Sequence, residues 1–567
     1  MDVSCNYLRK ILTIFLLSLT CILFSCHDKN KEPSRETINA INLKRGELIS
    51  CGPSENQFGK VDFDNTCDEK VINDFNLGIE LLHSFEYDEA EKVFAKMIDT
   101  EPGYAMDYWG VAMCNYHPLW TPPTESELKK GAISIEIAQS IGRKSKRETD
   151  YIHAISMFYK DWNKLDHHTR SIFFEKEMGK LFTDYPDDKE AAIFYALALD
   201  ASADPADQAY KNQIKAGKIL NDLYPKESNH PGIAHYIIHP YDYPGLASLA
   251  LDVARKYAEI APSSAHAQHM PSHIFTRLGL WDESISANLV SVSEANCYAE
   301  SAGLKGHWDE ELHGLDYLVY AYLQKGEDDS AKKLWDYLQT IHEVNTINFK
   351  TAYAFAAIPS RYLLENRNWK EAAGLQLYPK DFPWKKFQWQ EAIVHFTHLM
   401  GSVHKRNLES ATIELNKLNL IYDTLLLQKD QYKANQVKIQ INTSLAWILF
   451  RKGKSDSASK FIYLAADMED RTEKHPITPC EVIPARELLG DLLLEMNKPG
   501  EALTSYEEDL NRHPNRFNGL LGAGQTAQKT GNWEKAVNYY HQLLKKVDFR
   551  NSDRTILSEI NSYLQLR

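Results

Sequence analysis

Two consecutive stretches of 34 residues near the end of the chain carry the same pattern. Residues 483–516 read IPARELLGDLLLEMNKPGEALTSYEEDLNRHPNR, and residues 517–550 read FNGLLGAGQTAQKTGNWEKAVNYYHQLLKKVDFR. The small and aromatic residues of the first stretch return at the same offsets in the second: Gly490, Ala502 and Tyr506 recur as Gly524, Ala536 and Tyr540. Apolar residues on both sides of a short turn follow helical spacing. Each stretch is therefore predicted to form a pair of helices that cross closely at the small residues.

The same offsets can be followed through much of the chain. Near its beginning they fall on residues of the same kinds: Leu77, Gly78, Ala90, Phe94 and Pro102. Further units fit the segments 231–264, 265–298, 312–345, 353–386 and 439–472. The pattern resembles the tetratricopeptide repeat, in which helix pairs stack on their neighbours. We therefore predict an all-α solenoid of tetratricopeptide-like helix pairs that curves into a superhelix, with a concave groove lined by the first helix of each pair.

The periodicity divides the chain into seven segments. They are a lipoprotein signal peptide at 1–25, a flexible tether at 26–50, a loop at 51–70, an N-terminal repeat and irregular helical region at 71–230, a histidine-rich repeat core at 231–345, degenerate repeat helices at 346–482 and a C-terminal repeat pair at 483–550. The 34-residue period is lost within 105–230 and 387–438, where we expect decayed or interrupted repeats.

The first residues have the features of an export signal. Arg9 and Lys10 precede an apolar run at 11–24 that is too short for a confident membrane span. The following Leu23-Phe24-Ser25-Cys26 resembles the lipobox of bacterial lipoproteins, in which the cysteine carries the lipid. This predicts a lipid anchor at Cys26 that holds the protein on the outer membrane of a bacterial cell envelope. An uncleaved anchor is the alternative, and it also implies attachment to a membrane.

The composition agrees with an exported globular protein. The formal net charge is −14 and 25% of the residues are charged, which argues against binding to a nucleic-acid phosphate backbone. Cys51 and Cys67 bracket a loop ahead of the first repeat, so in an oxidising compartment they can form a disulfide. A buried free thiol is the alternative for each of them.

The histidines are concentrated in one part of the chain. With 21 among 567 residues, a window of 44 should hold roughly 1.6, yet the window from 230 to 273 holds six. Residues three, four or seven apart share one face of a helix. Two such faces are predicted, and together they carry five histidines: His235, His239, His266, His269 and His273.

The repeat register predicts where these faces point. Positions 2, 5, 9, 12 and 13 usually line the groove of a tetratricopeptide array, and the five histidines fall on such positions in two adjacent units. His235 is equivalent to His269, and His239 to His273, so we expect them side by side on helices roughly 8–10 Å apart. Further ligands, or residues that orient ligands, are expected at four other positions: His230, Asp242, His313 and Asp316.

Converging neutral imidazoles are the commonest protein ligands of transition metals. We interpret the cluster as a site for one or two divalent ions of zinc, copper or iron, among which the ligand types do not choose. Zinc or iron would activate water for hydrolysis and copper would support oxygen chemistry, which makes a metal-dependent hydrolase or oxidoreductase one candidate function. The alternative is that the histidines hydrogen-bond one another and nearby tyrosines in a binding groove without an ion.

Three strings resemble a family of exported bacterial tetratricopeptide proteins: HPGIAHYIIH at 230–239, HAQHMPSHIFTRLG at 266–279 and EKHPITP at 473–479. The resemblance extends over nearly the whole mature chain and implies export and the repeat fold, but no particular reaction. Our leading interpretation is an envelope-anchored repeat protein that binds a protein partner, a small ligand or a glycan in its groove. The kind of lipoprotein that it resembles suggests a place in nutrient uptake or polysaccharide degradation.

Overall fold

The computed structural model describes residues 32–53, 57–547, 552 and 554–566. The predicted signal peptide and Cys26 lie outside these residues. Regular structure in the described chain is helical except for one parallel pairing of two short strands, β1 (His307–Trp308) and β2 (Val344–Asn345). The prediction of an all-α fold is confirmed. No helix in this part of the chain is both long and apolar enough to cross a lipid bilayer.

The chain forms two compact units. Among the described residues, the first consists of 32–48 together with Lys60–Ile219, and the second of those in 49–59 together with those from Leu220 onward. The helices that begin in the first unit are α1 (Arg35–Ile41), α2 (Ile72–His83), α3 (Tyr87–Thr100), α4 (Ala105–Cys114), α5 (Glu125–Ser140), α6 (Lys146–Tyr159), α7 (His167–Asp184), α8 (Lys189–Ala201) and α9 (Lys211–Leu223).

The helices of the second unit follow in the same up-and-down order, and each packs mainly on its neighbours in sequence. They are α10 (Pro231–Tyr241), α11 (Leu251–Ile260), α12 (Ala265–His269), α13 (Pro271–Arg277), α14 (Trp281–Ser301), α15 (Asp309–Gln324), α16 (Asp328–Leu338), α17 (Phe349–Glu365), α18 (Trp369–Ala372), α19 (Gln388–His404), α20 (Leu408–Leu427), α21 (Gln431–Arg451), α22 (Ser455–Asp470), α23 (Ala485–Glu495), α24 (Pro499–Arg512), α25 (Phe517–Lys529), α26 (Trp533–Lys546) and α27 (Ile556–Gln565).

Aromatic rings fill the gaps between stacked pairs. Phe94 on α3 lies between Gly78 on α2 and Gly110 on α4, and a Cβ atom on these glycines would come within 2.7 and 2.5 Å of the ring. Tyr506 on α24 packs on Gly490 of α23 in the same way, at 2.7 Å. The small residues that the repeat pattern placed at helix crossings are all buried: Gly490, Ala502, Gly524 and Ala536.

Helix pairs also occupy the two segments where the 34-residue period is lost. Residues 105–230 contain α4 to α9, and residues 387–438 contain α19 and α20 with the start of α21. The stacking continues there, but α20 and α21 have 20 and 21 residues, which is too long for two helices and their turns to fit within 34. In 387–438 the length of these helices, rather than a loss of packing, breaks the 34-residue period, and the expectation of decayed or interrupted repeats there stays a prediction.

The segment predicted as a flexible tether contains an ordered helix. Ser34 caps α1 by accepting a hydrogen bond from the Thr37 N–H at 3.2 Å. Ile38 and Ile41, three positions apart, are buried on one face of α1. The backbone N–H of Lys44 then donates to Glu91 at 2.7 Å. The tether prediction is therefore wrong for residues 34–44, where a few apolar side chains order a stretch of polar composition.

The predicted disulfide between Cys51 and Cys67 is wrong. Cys51 is bonded to Cys297 on α14, 246 positions later, and Cys67 is a free thiol. The reason is that residues 49–59 belong to the second unit, where the N–H of Ser263 donates to the carbonyl of Gln57 at 3.0 Å. Proximity in the sequence was therefore a poor guide to the partner of Cys51.

The loop between α22 and α23 packs on helices from much earlier in the second unit. Lys474 in this loop donates to Asp242, which follows α10, at 2.8 Å. Arg361 on α17 donates to the carbonyl of Cys480 at 2.8 Å and to that of Glu481 at 2.7 Å. The face of the first helices that was predicted to line an open groove is therefore covered at this point by a later segment of the same chain.

Candidate metal centre

Six histidines of the second unit meet in two groups of three. The first group consists of His235 and His239 on α10 with His266 on α12, and the second of His269 on α12, His273 on α13 and His313 on α15. Within each group, one ring nitrogen of each histidine lies within 4.8 Å of the others. Each group is therefore small enough to surround a single ion.

Two prolines shape the helices that carry these side chains. Pro231 is the first residue of α10, where its missing N–H costs nothing. His230 precedes it and caps the helix, because its Nδ1 accepts a hydrogen bond from a backbone N–H at 3.4 Å. Pro271 begins α13 and separates it from α12 at Met270, which keeps a right-handed helical conformation. His269, before this break, and His273, after it, therefore lie on the same side of the two successive helices.

The first group is held together by contacts between Nε2 atoms. The Nε2 of His235 lies 2.9 Å from that of His239 and 3.1 Å from that of His266. The ring of His235 also stacks on Tyr257 at 5.3 Å between centroids. Three nitrogens bound to one tetrahedral zinc ion at about 2.0–2.1 Å would be about 3.3 Å apart. The two contacts to His235 need to lengthen by only a few tenths of an ångström to match such an ion.

The second group is oriented from outside by two polar side chains. The Nδ1 of His269 lies 2.6 Å from Oδ1 of Asn288 on α14, whose amide nitrogen donates to the Ser284 carbonyl. The Nδ1 of His273 lies 3.0 Å from Oδ2 of Asp242. Because both partners offer an acceptor, both histidines carry their proton on Nδ1. This is the outer hydrogen bonding that normally fixes metal-binding histidines.

This orientation leaves two lone pairs facing each other. The Nε2 atoms of His269 and His273 are 3.1 Å apart, and neither carries a proton when both Nδ1 atoms donate. The hydroxyl of Tyr317 lies 3.3 Å from both Nδ1 and Nε2 of His273, over the face of the ring, and so does not point along either lone pair. A metal ion satisfies both at once. His313 packs against this pair in a tilted arrangement, with its ring centroid 4.1 Å from that of His269.

Burial keeps these imidazoles neutral, which is the form that binds a metal. Burial and, next, the charge of a neighbouring imidazole lower the pKa well below its ordinary value for four of them: His239, His266, His269 and His313. Burial also lowers the pKa of His273, but hydrogen bonding to Asp242 opposes the change. His239 keeps partial exposure to solvent, and the other five histidines are buried.

Asp242 carries a buried network of charges beside the second group. Its carboxylate accepts hydrogen bonds from His273, from Arg277 at 2.8 Å and from Lys474 at 2.8 Å. Burial alone raises the pKa of this carboxyl, but Lys474 and Arg277 outweigh burial and hold it well below the ordinary range. Asp242 therefore stays ionised and acts as an acceptor for His273, which is one of the two roles predicted for it.

The structure brings the predicted histidines together in a different pairing. His235 meets His266 rather than its repeat equivalent His269, because adjacent first helices are offset by about one helical turn. His313 joins as a third member of the second group. His230 is at the helix cap and belongs to neither group.

Asp316 does not lie beside the histidines as a ligand would. Its Oδ1 accepts a hydrogen bond from Arg361 at 3.1 Å, because the α15 face that carries it packs on α17. The prediction of Asp316 as a ligand or orienting residue for the histidines is therefore wrong. Sequence reasoning also missed Asn288 and Lys474. Of these two residues, only Lys474 could have been noticed in the sequence, because it lies within the EKHPITP string.

Comparisons with known proteins identify the repeat. Residues 520–555 match the family model described as tetratricopeptide repeat. A stretch of 58 residues, 10% of this chain, is 38% identical to mouse tetratricopeptide repeat protein 21B, of whose length it spans 4%.

Solved structures include similar helical arrays at low overall similarity. The human IFIT1 dimer with m7Gppp-AAAA has a TM-score of 0.34 at 12% identity, over 85% of this chain and 95% of that chain. The TPR domain of P58(IPK) has a TM-score of 0.20 at 13% identity, over 67% of this chain and 98% of that chain. The described chain is an array of helix pairs, and its residues 520–555 match the tetratricopeptide repeat model.

Proposed function

We propose that this protein binds two transition-metal ions, one in each histidine group. The observation that carries the proposal is the 3.1 Å distance between the Nε2 atoms of His269 and His273. Because the Nδ1 atoms of these histidines donate to Asn288 and Asp242, the two Nε2 atoms face each other as unprotonated acceptors. Such an arrangement disfavours an empty site and favours a cation. The all-nitrogen ligand set suits zinc, copper or iron.

Metal-dependent chemistry is the second candidate. Three protein nitrogens per ion leave at least one coordination position for water or substrate, as in catalytic rather than structural zinc sites. The Tyr317 hydroxyl, 3.3 Å from His273, is placed to donate a proton to a molecule bound there. Zinc or iron would activate water for a hydrolase, and a copper pair would support an oxidoreductase.

We propose that the metal-bearing array works in the cell envelope as a lipoprotein anchored through Cys26. The disulfide between Cys51 and Cys297 supports an oxidising compartment, since such bonds are rare in the cytosol. The tetratricopeptide-type scaffold supports binding of a protein partner, or of a small ligand or glycan, on its helices. A role in nutrient uptake or polysaccharide degradation remains part of this proposal.

Metal analysis of the purified protein tests the central proposal. The His235→Ala/His269→Ala variant should carry about two equivalents of zinc, copper or iron fewer than the wild-type chain while keeping its helix content by circular dichroism. A matched control is His153→Ala, which removes a largely exposed histidine of the first unit and should leave both equivalents. A double variant that binds as much metal as the wild type, or wild-type protein without metal after growth and refolding with each of the three ions, overturns the proposal.

A further inference from the structure

A third cluster of metal-binding side chains lies away from the six histidines. It consists of Cys480 and Glu481, in the loop before α23, and His513, which follows α24. The thiol of Cys480 lies 3.0 Å from Oε2 of Glu481, and Nε2 of His513 lies 3.1 Å from the same oxygen. A thiol, a carboxylate and an imidazole thus meet at one point.

The three side chains are held rigidly from behind. Nδ1 of His513 lies 2.9 Å from Oδ1 of Asp509, so Nε2 points into the cluster. The guanidinium of Arg361 donates to the backbone carbonyls of both Cys480 and Glu481. Asp316 in turn fixes Arg361 at 3.1 Å. A carboxylate behind the histidine and a clamped ligand backbone are features of built metal sites.

The size of the adjoining cavity distinguishes a metal site from a nucleophilic cysteine at this cluster. A cysteine beside a histidine that an aspartate orients is also the arrangement of a nucleophilic thiol. However, Cys480 is 3% exposed, and the cavity that it lines with Arg277, Lys474 and His513 holds about 10 Å³. That is about the space of one water molecule. An ion with one bound water fits there, whereas a substrate reaching the sulfur does not.

We propose that Cys480, Glu481 and His513 bind a single zinc-like divalent cation, separately from the two histidine groups. Ligands of a tetrahedral zinc ion with Zn–S of about 2.3 Å and Zn–N or Zn–O of about 2.1 Å are about 3.3–3.6 Å apart. The observed 3.0 and 3.1 Å require an opening of about half an ångström. The fourth ligand is a water in the small cavity.

Binding at this site exchanges protons for the cation. The Cys480 thiol loses its proton to become the thiolate ligand, and any proton on Nε2 of His513 also leaves to solvent. Nδ1 keeps its hydrogen bond to Asp509. No electron is transferred, and no bond other than these N–H and S–H bonds is broken. Affinity for the ion should therefore rise with pH.

Cobalt(II) distinguishes this site from the two histidine groups, because only this site contains a cysteine ligand. Thiolate bound to cobalt gives a charge-transfer band in the near ultraviolet, which the all-histidine groups lack. Titration of the metal-free full chain with Co²⁺ should produce this band, with a final amplitude of one cobalt-bound thiolate per chain once all three sites are filled, and excess Zn²⁺ should remove it. Cys480→Ser should abolish the band, and Glu481→Gln, which preserves shape and burial, should weaken Co²⁺ binding at least tenfold.

Matched variants separate this site from the others. Cys67→Ser/Cys114→Ser removes the other free thiols of the described chain and should retain the band, as should His266→Ala/His313→Ala. The inference is overturned if the wild-type chain gives no charge-transfer band, or if the band survives unchanged in both Cys480→Ser and Glu481→Gln. Loss of metal from the histidine groups does not affect this readout, so the two proposals fail independently.

Discussion

His266 and His313 occupy the same position on successive first helices, and each closes a histidine pair on the helix before it. His266 meets His235 and His239, which are four residues apart on α10. His313 meets His269 and His273, which are also four residues apart, across α12 and α13. The two groups are thus successive copies of one arrangement, in which the second residue of a repeat faces the fifth and ninth of the repeat before it.

This relationship predicts that the two sites can be emptied one at a time. His266→Ala should lose the ion of the first group and His313→Ala that of the second, so each single variant should carry one equivalent less than wild type by elemental analysis. Both should keep the fold, because each removes one side chain from a group of three. Loss of both equivalents in either single variant would contradict two separate sites and indicate one shared centre.

The side chain of Asn288 should control the affinity of the second site without touching the ion. Asn288→Ala removes the acceptor that fixes the His269 ring, and metal affinity should fall about 10–100-fold, as for other residues that orient metal ligands. Asn288→Asp keeps an acceptor at this position and should recover most of the affinity. Competition with a chromogenic chelator measures both. Equal losses in the two variants would point to a packing defect instead.

The buried histidines should make the metal-free protein less stable in mild acid. Their pKa values lie below the ordinary value in the folded chain and return to about 6.5 on unfolding. The unfolded chain therefore binds more protons below about pH 6.5, and stability falls as pH drops by up to about 1.4 kcal/mol per unit for each such histidine. Above about pH 7.5 this loss is absent.

Urea unfolding at pH 7.5, 6.5 and 5.5 checks this dependence. The comparison is with His266→Asn/His313→Asn, which removes two of the titrating groups and should show a shallower fall in the free energy of unfolding. Parallel pH profiles for the two proteins would mean that other groups dominate the acid response.

The crossing of α23 with α24 should not tolerate one additional methyl group. A Cβ atom at Gly490 would lie 2.7 Å from the Tyr506 ring, and that ring is anchored by a 2.6 Å hydrogen bond from its hydroxyl to Asp491. Gly490→Ala should therefore lower the free energy of unfolding by about 1–3 kcal/mol. Gly500→Ala is the control, since no atom lies within 4 Å of its Cβ position, and an unchanged or slightly raised stability is expected there. Similar effects of both substitutions would refute the close crossing.

Reduction of the disulfide should destabilise the second unit. Cys51 and Cys297 close a segment of 246 positions, which the chain-entropy model values at about 5 kcal/mol. Cys51→Ser should lower the melting temperature as much as a reducing agent does on wild type, and the reductant should have no further effect on the variant. Cys67→Ser should leave the melting temperature sensitive to reduction. Formation of a Cys51–Cys67 bond in the oxidised protein, seen by peptide mapping, would contradict the structure.

The sequence was sufficient for the features that local spacing controls. Gly490 and Tyr506 recur at the offsets of a known repeat, so the helix pairs and their close crossings could be predicted. Histidines three, four and seven apart must share a helix face, so the assembly of His235, His239, His266, His269 and His273 in neighbouring helices followed.

Features that depend on how one helix lies against another could not be predicted from the sequence. Equal repeat positions suggested that His235 faces His269, whereas the offset between stacked helices brings His266 to it. His313, the third histidine of the second group, was predicted only as a further ligand or orienting residue, because it comes from beyond α14, whose 21 residues break the period. Cys297 and Lys474 were missed for a related reason, since each meets a residue more than 200 positions away.

The contact between Lys474 and Asp242 also imposes an order of events on the making of this protein. The two residues are 232 positions apart, so a chain emerging from the ribosome or from a translocation channel completes its histidine helices long before the loop that covers them. Until that loop arrives, the imidazoles stand open to any ion in the surrounding compartment. If the histidine groups bind metal as proposed, a chain truncated before residue 474, which lacks the covering loop, should load its ions faster and with less selectivity than the full chain.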